Sequence, residues 1–155
     1  MKSAAAAVLA VALLAAAVPA VAQPDLWTGT WHLDLDESTY PAGSPYKRGT
    51  WKIERSDAGV TMIYDLVGVR GGVTHMEWTG RFDGRPYTLH GPDAPVTYAY
   101  IQVDAYTLDL EVRVDGVPNV RGRVTLAPDG RTLTATTTGR TAAGEVTTTT
   151  VYKKK

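Results

Sequence analysis

Three histidines, His32, His75 and His90, are the only imidazoles in this 155-residue chain, and each has acidic company nearby. Period-two alternation puts His32, Asp34 and Asp36 on one strand face and His75 and Glu77 on another. A metal site needs three or four convergent ligands, and these two groups fall on strands that are not neighbours, so a solvated polar face accounts for them. Nucleophilic chemistry finds less support. The chain has no Cys, and its serines, at 3, 38, 44 and 56, lie in no Gly-x-Ser-x-Gly motif. Gly71-Gly72 sits between two strand patterns with no helix after it, which excludes a phosphate loop. No converging acid–base pair emerges, so neither an enzyme nor a metal or cofactor is expected. What remains is aromatic: Trp31, Trp51 and Trp78, with Tyr64, Tyr87 and Tyr152, stand at positions that could line a pocket or fill a core.

These residues are carried by short segments of alternating apolar and polar character, separated by turn clusters. The segments are Gly29–Leu35, Lys47–Arg55, Val60–Val67, Val73–Arg81, Pro86–Leu89, Thr97–Val103, Thr107–Val114, Pro118–Leu126, Thr132–Gly139 and Val146–Tyr152. Between them lie Ser56-Asp57-Ala58-Gly59, Asp83-Gly84, Asp115-Gly116, Pro128-Asp129-Gly130 and similar runs, whose Gly, Asp and Pro supply the backbone angles of tight hairpins. Neighbours in sequence are then neighbours in the sheet. The pattern predicts an all-β fold, a single up-and-down antiparallel barrel of about ten strands.

Parity assigns the faces. Trp31, Leu33 and Leu35 alternate with His32, Asp34 and Asp36; Met76 and Trp78 alternate with His75 and Glu77; Leu108, Leu110 and Val112 alternate with Asp109, Glu111 and Arg113. The apolar set is expected inside. In the sixth segment Ile101 and Val103 are assigned inward, leaving Tyr98 and Tyr100 outward as an exposed aromatic patch. The Asp115-Gly116 turn decides where Arg121 and Arg123 point. A two-residue loop facing Val114 with Val117 turns both arginines inward as an anion clamp; a three-residue loop with a bulge at Gly116 faces Leu110 with Val120 and turns them out. The second avoids burying two charges and is the reading adopted.

The first 22 residues read as a secretory leader, with Lys2, an apolar stretch over Ala4 to Val18, and Ala20-Val21-Ala22 as a small-x-small cleavage pattern. That stretch is shorter than the ~20 residues a membrane span needs. Cleavage leaves Gln23 first and residues 23–155 as one barrel domain, expected as a periplasmic or secreted monomer without a membrane span. The 16 basic and 16 acidic residues cancel, giving no footprint for nucleic acid. The Lys153-Lys154-Lys155 run reads as a frayed, solvated end.

Gly29-Thr30-Trp31 resembles the first-strand Gly-x-Trp of the calycins, the lipocalins and fatty-acid-binding proteins. The stretch from Gly29 to Tyr40, followed by Phe82-Asp83-Gly84-Arg85-Pro86-Tyr87, also resembles a group of small exported bacterial proteins, a likeness that implies a fold without a reaction. The calycin resemblance implies that Trp31 is a structural plug at one barrel end. It does not bring the fatty-acid site: Pro41, Gly43 and Pro45 leave no room for a helical lid, and Thr150 stands where the Arg of Arg-x-Tyr would clamp a carboxylate, although Tyr152 matches. Gly-Thr-Trp with Tyr40-Pro41 is similar to the haem-binding barrel nitrobindin, whose proximal His near the end is missing here.

The resulting expectation is a barrel that binds a small apolar or amphipathic molecule, neutral rather than a carboxylate, on Trp51, Tyr64, Met76, Trp78, Tyr87, Ile101, Leu110 and Tyr152. The alternative is a filled barrel acting through its outer surface as an envelope or protein-interaction module. A cavity above ~300 Å³ separates the two.

Overall fold

The computed structural model describes residues 25–155, so the leader and its cleavage site lie outside the described residues. The ten strands are β1 (Gly29–Thr39), β2 (Tyr46–Ser56), β3 (Gly59–Gly68), β4 (Val73–Gly80), β5 (Tyr87–His90), β6 (Val96–Asp104), β7 (Thr107–Val114), β8 (Val117–Leu126), β9 (Thr132–Thr141) and β10 (Gly144–Lys154). Each pairs antiparallel with the next, and β1 pairs with β10 to close the barrel. The meander closes on itself, with the short β4–β5 ladder of Glu77–His90 and Trp78–Leu89 as its thinnest seam, and closure suits a chain without disulfides.

One barrel end is plugged. Trp31 is 0% exposed and its indole N–H donates to the Trp27 carbonyl at 3.0 Å; Trp27 in turn donates to the Ala105 carbonyl at 3.0 Å. The C-terminal lysines belong to this closure and are not frayed. β10 continues in register with β1 to Lys154, whose Nζ donates to the Leu26 carbonyl and sits 4.9 Å from the Trp31 ring centre. Lys153 donates to Glu37 at 2.7 Å. The Phe82–Tyr87 turn joins the plug: Phe82 stacks on Trp78, while Tyr87 packs edge-on against Trp78 and donates its hydroxyl to Asp83. Gly80 permits this, since a Cβ there would stand 2.6 Å from the Tyr87 ring.

Two bulges reset the faces of β6 and β8. The Asp115-Gly116 turn is a two-residue loop with φ of 49° and 76°, both positive as a type I′ hairpin requires, and Val114 faces Val117. Arg121 and Arg123 nevertheless point outward. The extra residue is Asn119 within β8, between Pro118 opposite Arg113 and Val120 opposite Val112, rather than at Gly116. Leu110 therefore faces Gly122, not Val120. In β6 the pairing slips at Val103, between Gln102 opposite Leu108 and Asp104 opposite Thr107. That slip sends Tyr98 and Tyr100 inward, with Tyr100 1% exposed, and leaves Ile101 49% exposed on the outer wall.

Candidate functional site

The barrel interior has two unlike halves. Toward the plug, Ile53, Met62, Trp78, Leu89, Leu108, Val124, Leu126 and Leu133 are buried and make a filled core. Toward the opposite end the inward-facing positions change to small or hydroxyl-bearing residues: Ala135, Thr137, Gly139, Val146, Thr148 and Thr150 on β9 and β10, Val120 and Gly122 on β8. These are half-buried although they face inward, as are Leu33, Met76, Val96 and Tyr98. A residue that faces the inside of a closed barrel gains exposure only through the mouth, so this half is an open cup. At the rim a cavity of about 480 Å³ separates the Tyr40–Pro45 loop from Val146 and Thr148, and another of about 360 Å³ lies beside Pro45, Tyr46 and Gly68.

The floor of the cup is aromatic. Trp51 stacks on Tyr64 with ring centres 5.1 Å apart and meets Tyr152 edge-on at 5.5 Å. Tyr64 meets Tyr98 at 6.4 Å, Tyr98 meets Tyr100 at 6.1 Å, and Tyr100 rests on Trp78 at 5.1 Å. The Tyr64 and Tyr100 hydroxyls bond each other at 2.9 Å, and Tyr64 lies 3.4 Å from Met62 Sδ; Tyr100 giving its proton to Tyr64, and Tyr64 to the sulfur, satisfies both. Tyr46 enters because the β2–β3 pairing slips between Tyr46 and Arg48. Thr150 donates to the Tyr40 hydroxyl at 3.3 Å, tying the rim loop to β10.

These phenols are held neutral. Burial pushes Tyr98 up to about 12, with the nearby Tyr46 adding to the shift. Tyr64, Tyr100 and Tyr152 are raised well above the ordinary value, chiefly by burial and then by their phenol neighbours. No charged side chain is buried among the described residues. The floor of the cup is therefore polar but uncharged.

Of the residues singled out in the sequence, Trp51, Tyr64 and Tyr152 meet at the cup floor, Met76 is inward on β4 opposite Tyr64, and Leu110 is inward beside Tyr100. Trp78 and Tyr87 belong to the plug instead, and Ile101 lies outside. Tyr98, Tyr100 and Tyr46 were missed. Pairing Tyr98 with Val112 and Tyr100 with Leu110 keeps apolar partners together, a cross-strand signal present in the sequence.

The outer wall carries a cleft of about 870 Å³, bordered by Ala99, Ile101, Glu111, Arg113, Arg121 and Arg123. Its charges are largely spent on each other: Arg123 grips Asp109 through two bonds of 2.7 and 3.1 Å, and Arg113 binds Glu111 at 2.7 Å. His75 is likewise engaged with Asp65, across β3 and β4 at 2.6 Å. Among the described residues no group of three or more His, Asp or Glu side chains is placed to hold a metal ion, and no helix is long and apolar enough to cross a membrane.

No protein-family model and no curated protein matches the sequence. Among solved structures the chain is similar to zebrafish ileal bile acid-binding protein complexed with cholic acid, at 10% identity and a TM-score of 0.53, over 84% of this chain and 99% of that one. It is also similar to a redesigned β-barrel, mFAP1, bound to DFHBI, at 15% identity and a TM-score of 0.47, over 83% and 95% of the two chains. This chain and the zebrafish protein share the fold of a closed antiparallel β-barrel, and in this chain the described residues contain no helix.

Proposed function

We propose that this calycin-like barrel carries a small apolar or amphipathic molecule in its open half, as an exported, monomeric binding protein. The observation that carries this reading is the contrast between the two halves of the interior. A barrel used only through its surface would fill both halves to protein density, since empty apolar space weakens a core. Here the plug half is filled by tryptophan and leucine, while inward-facing Thr137, Thr148, Thr150 and Val120 stay half-exposed above an aromatic floor. Apolar walls with few convergent polar groups are what small-molecule sites offer. The similarly folded zebrafish protein is complexed with cholic acid, which supports the same use of the architecture.

Native mass spectrometry of the protein purified from its own host tests the reading. A mass excess that disappears on denaturation supports a guest; a ligand-free spectrum that small apolar molecules leave unchanged opposes it. Export is tested separately. The exported protein should begin at Gln23, after removal of Met1 to Ala22.

A further inference from the structure

The tyrosines divide by whether their hydroxyls have partners. Tyr64 and Tyr100 bond each other, Tyr87 bonds Asp83, and Tyr40 accepts from Thr150. Tyr106 is exposed on the β6–β7 hairpin at the plugged end. The remaining three, Tyr46, Tyr98 and Tyr152, have no hydroxyl partner among the described residues: Tyr98 and Tyr152 meet the stacked Trp51–Tyr64 pair edge-on, and Tyr46 stands at the rim. The indoles divide in the same way. Trp27, Trp31 and Trp78 donate to backbone carbonyls, whereas the buried Nε1 of Trp51, in ring contact with Tyr64 and Tyr152, has no partner.

Among the described residues of the aromatic core, the unpartnered phenols and indole lie together, on the floor and rim of the cup. The buried Trp51 N–H without an acceptor is penalised, and a guest oxygen beside it removes that penalty. Each phenol supplies a proton and the indole can only donate, so the complement is acceptor-rich. Arg121 and Arg123 lie on the outer wall and no charged side chain is buried among the described residues, so a carboxylate on the aromatic floor would be desolvated without compensation.

We propose that Tyr46, Tyr98 and Tyr152 form the recognition group of the cup, and that its guest is a neutral molecule with a carbonyl, ether or hydroxyl oxygen seated on these hydroxyls and an apolar body toward the mouth. This rests on the cup being the binding site and adds the ligand class and the residues that select it.

The test is a titration of indole fluorescence with octane, 1-octanol, methyl octanoate and octanoate, on wild type and on Tyr98→Phe/Tyr152→Phe. The double variant loses no intramolecular bond, so its thermal unfolding should match wild type, which verifies that it is folded. The two oxygenated neutral probes should bind wild type more tightly than octanoate and lose ~10-fold or more in affinity in the variant, while octane is unaffected. Equal affinity of 1-octanol for both proteins would overturn the recognition group while octane binding kept the cup intact. Tightest binding by octanoate would overturn the neutral class. Failure of all four probes to bind would remove the cup reading itself.

Discussion

The hydroxyls of Tyr64 and Tyr100 lie 2.9 Å apart in the middle of the barrel, joining β3 to β6 across the interior rather than along the wall. Both rings are nearly sealed from solvent, at 8% and 1% exposure, so neither hydroxyl can exchange its partner for bulk water. Breaking this bond by Tyr100→Phe leaves the Tyr64 hydroxyl with the weak Met62 sulfur as its one partner and should cost about 1–3 kcal/mol in urea unfolding. Tyr98→Phe, which removes a hydroxyl with no partner, should change stability by less than ~0.5 kcal/mol. Equal losses from the two would show that the Tyr64–Tyr100 bond carries no special weight.

The plug makes a larger prediction. Trp31 is fully buried, bonded to the Trp27 carbonyl and covered by Lys154. Trp31→Ala should cost ~3–5 kcal/mol, the range for large aromatic deletions from cores. A loss below ~1 kcal/mol would mean that the plug can be emptied freely.

Alkaline pH should weaken the fold. In the unfolded chain Tyr64, Tyr98, Tyr100 and Tyr152 titrate near the ordinary value of about 10. In the folded chain burial keeps them protonated, Tyr98 to about 12 and the other three above their ordinary value. Above about pH 10 the unfolded state thus holds fewer protons, and unfolding free energy falls as pH rises. The contribution is complete below about pH 10 and is lost on the way up through the folded values. Urea midpoints should hold steady from about pH 7 to 9 and drop beyond about 10, with phenolate absorbance rising in step with unfolding. Stability that increased over that range would contradict the buried phenol cluster.

Most of the architecture could be read from turn chemistry and alternation, because Asp-Gly and Gly-containing turns separate segments whose apolar residues recur every second position. What escaped that reading was the face of two strands. A single extra residue, Val103 in β6 and Asn119 in β8, inverts everything beyond it, and no local propensity marks either as a bulge. For Arg121 and Arg123 the cost of burying charge predicted the right face with the wrong turn, since the compensating bulge lies in the strand. For Tyr98 and Tyr100 no such cost existed: a tyrosine is tolerated on either face, so β-branched Ile101 and Val103 drew the inward assignment. Of the three recognition phenols, that choice hid Tyr98.

Arg121 and Arg123 on the outer wall lead to a further expectation. Arg123 and Asp109 form an exposed pair, which in solution contributes little. Arg121→Ala/Arg123→Ala should leave the urea midpoint close to that of wild type and the affinity for 1-octanol unchanged. Loss of guest binding in this double variant would move the site from the cup to the outer cleft.

The central claim, that the open half of the barrel is where a guest sits, is tested most directly by filling it. Ala135 faces inward on β9, between Val124 and Thr150, and is half-buried above the aromatic floor. Calorimetric titration of 1-octanol into wild type and Ala135→Trp, each shown by circular dichroism to keep its β signal, compares an open cup with an occupied one. Ile101→Asp serves as the outer-wall control. The account predicts one saturable site in wild type and Ile101→Asp, and its loss in folded Ala135→Trp. Undiminished binding to Ala135→Trp would contradict it.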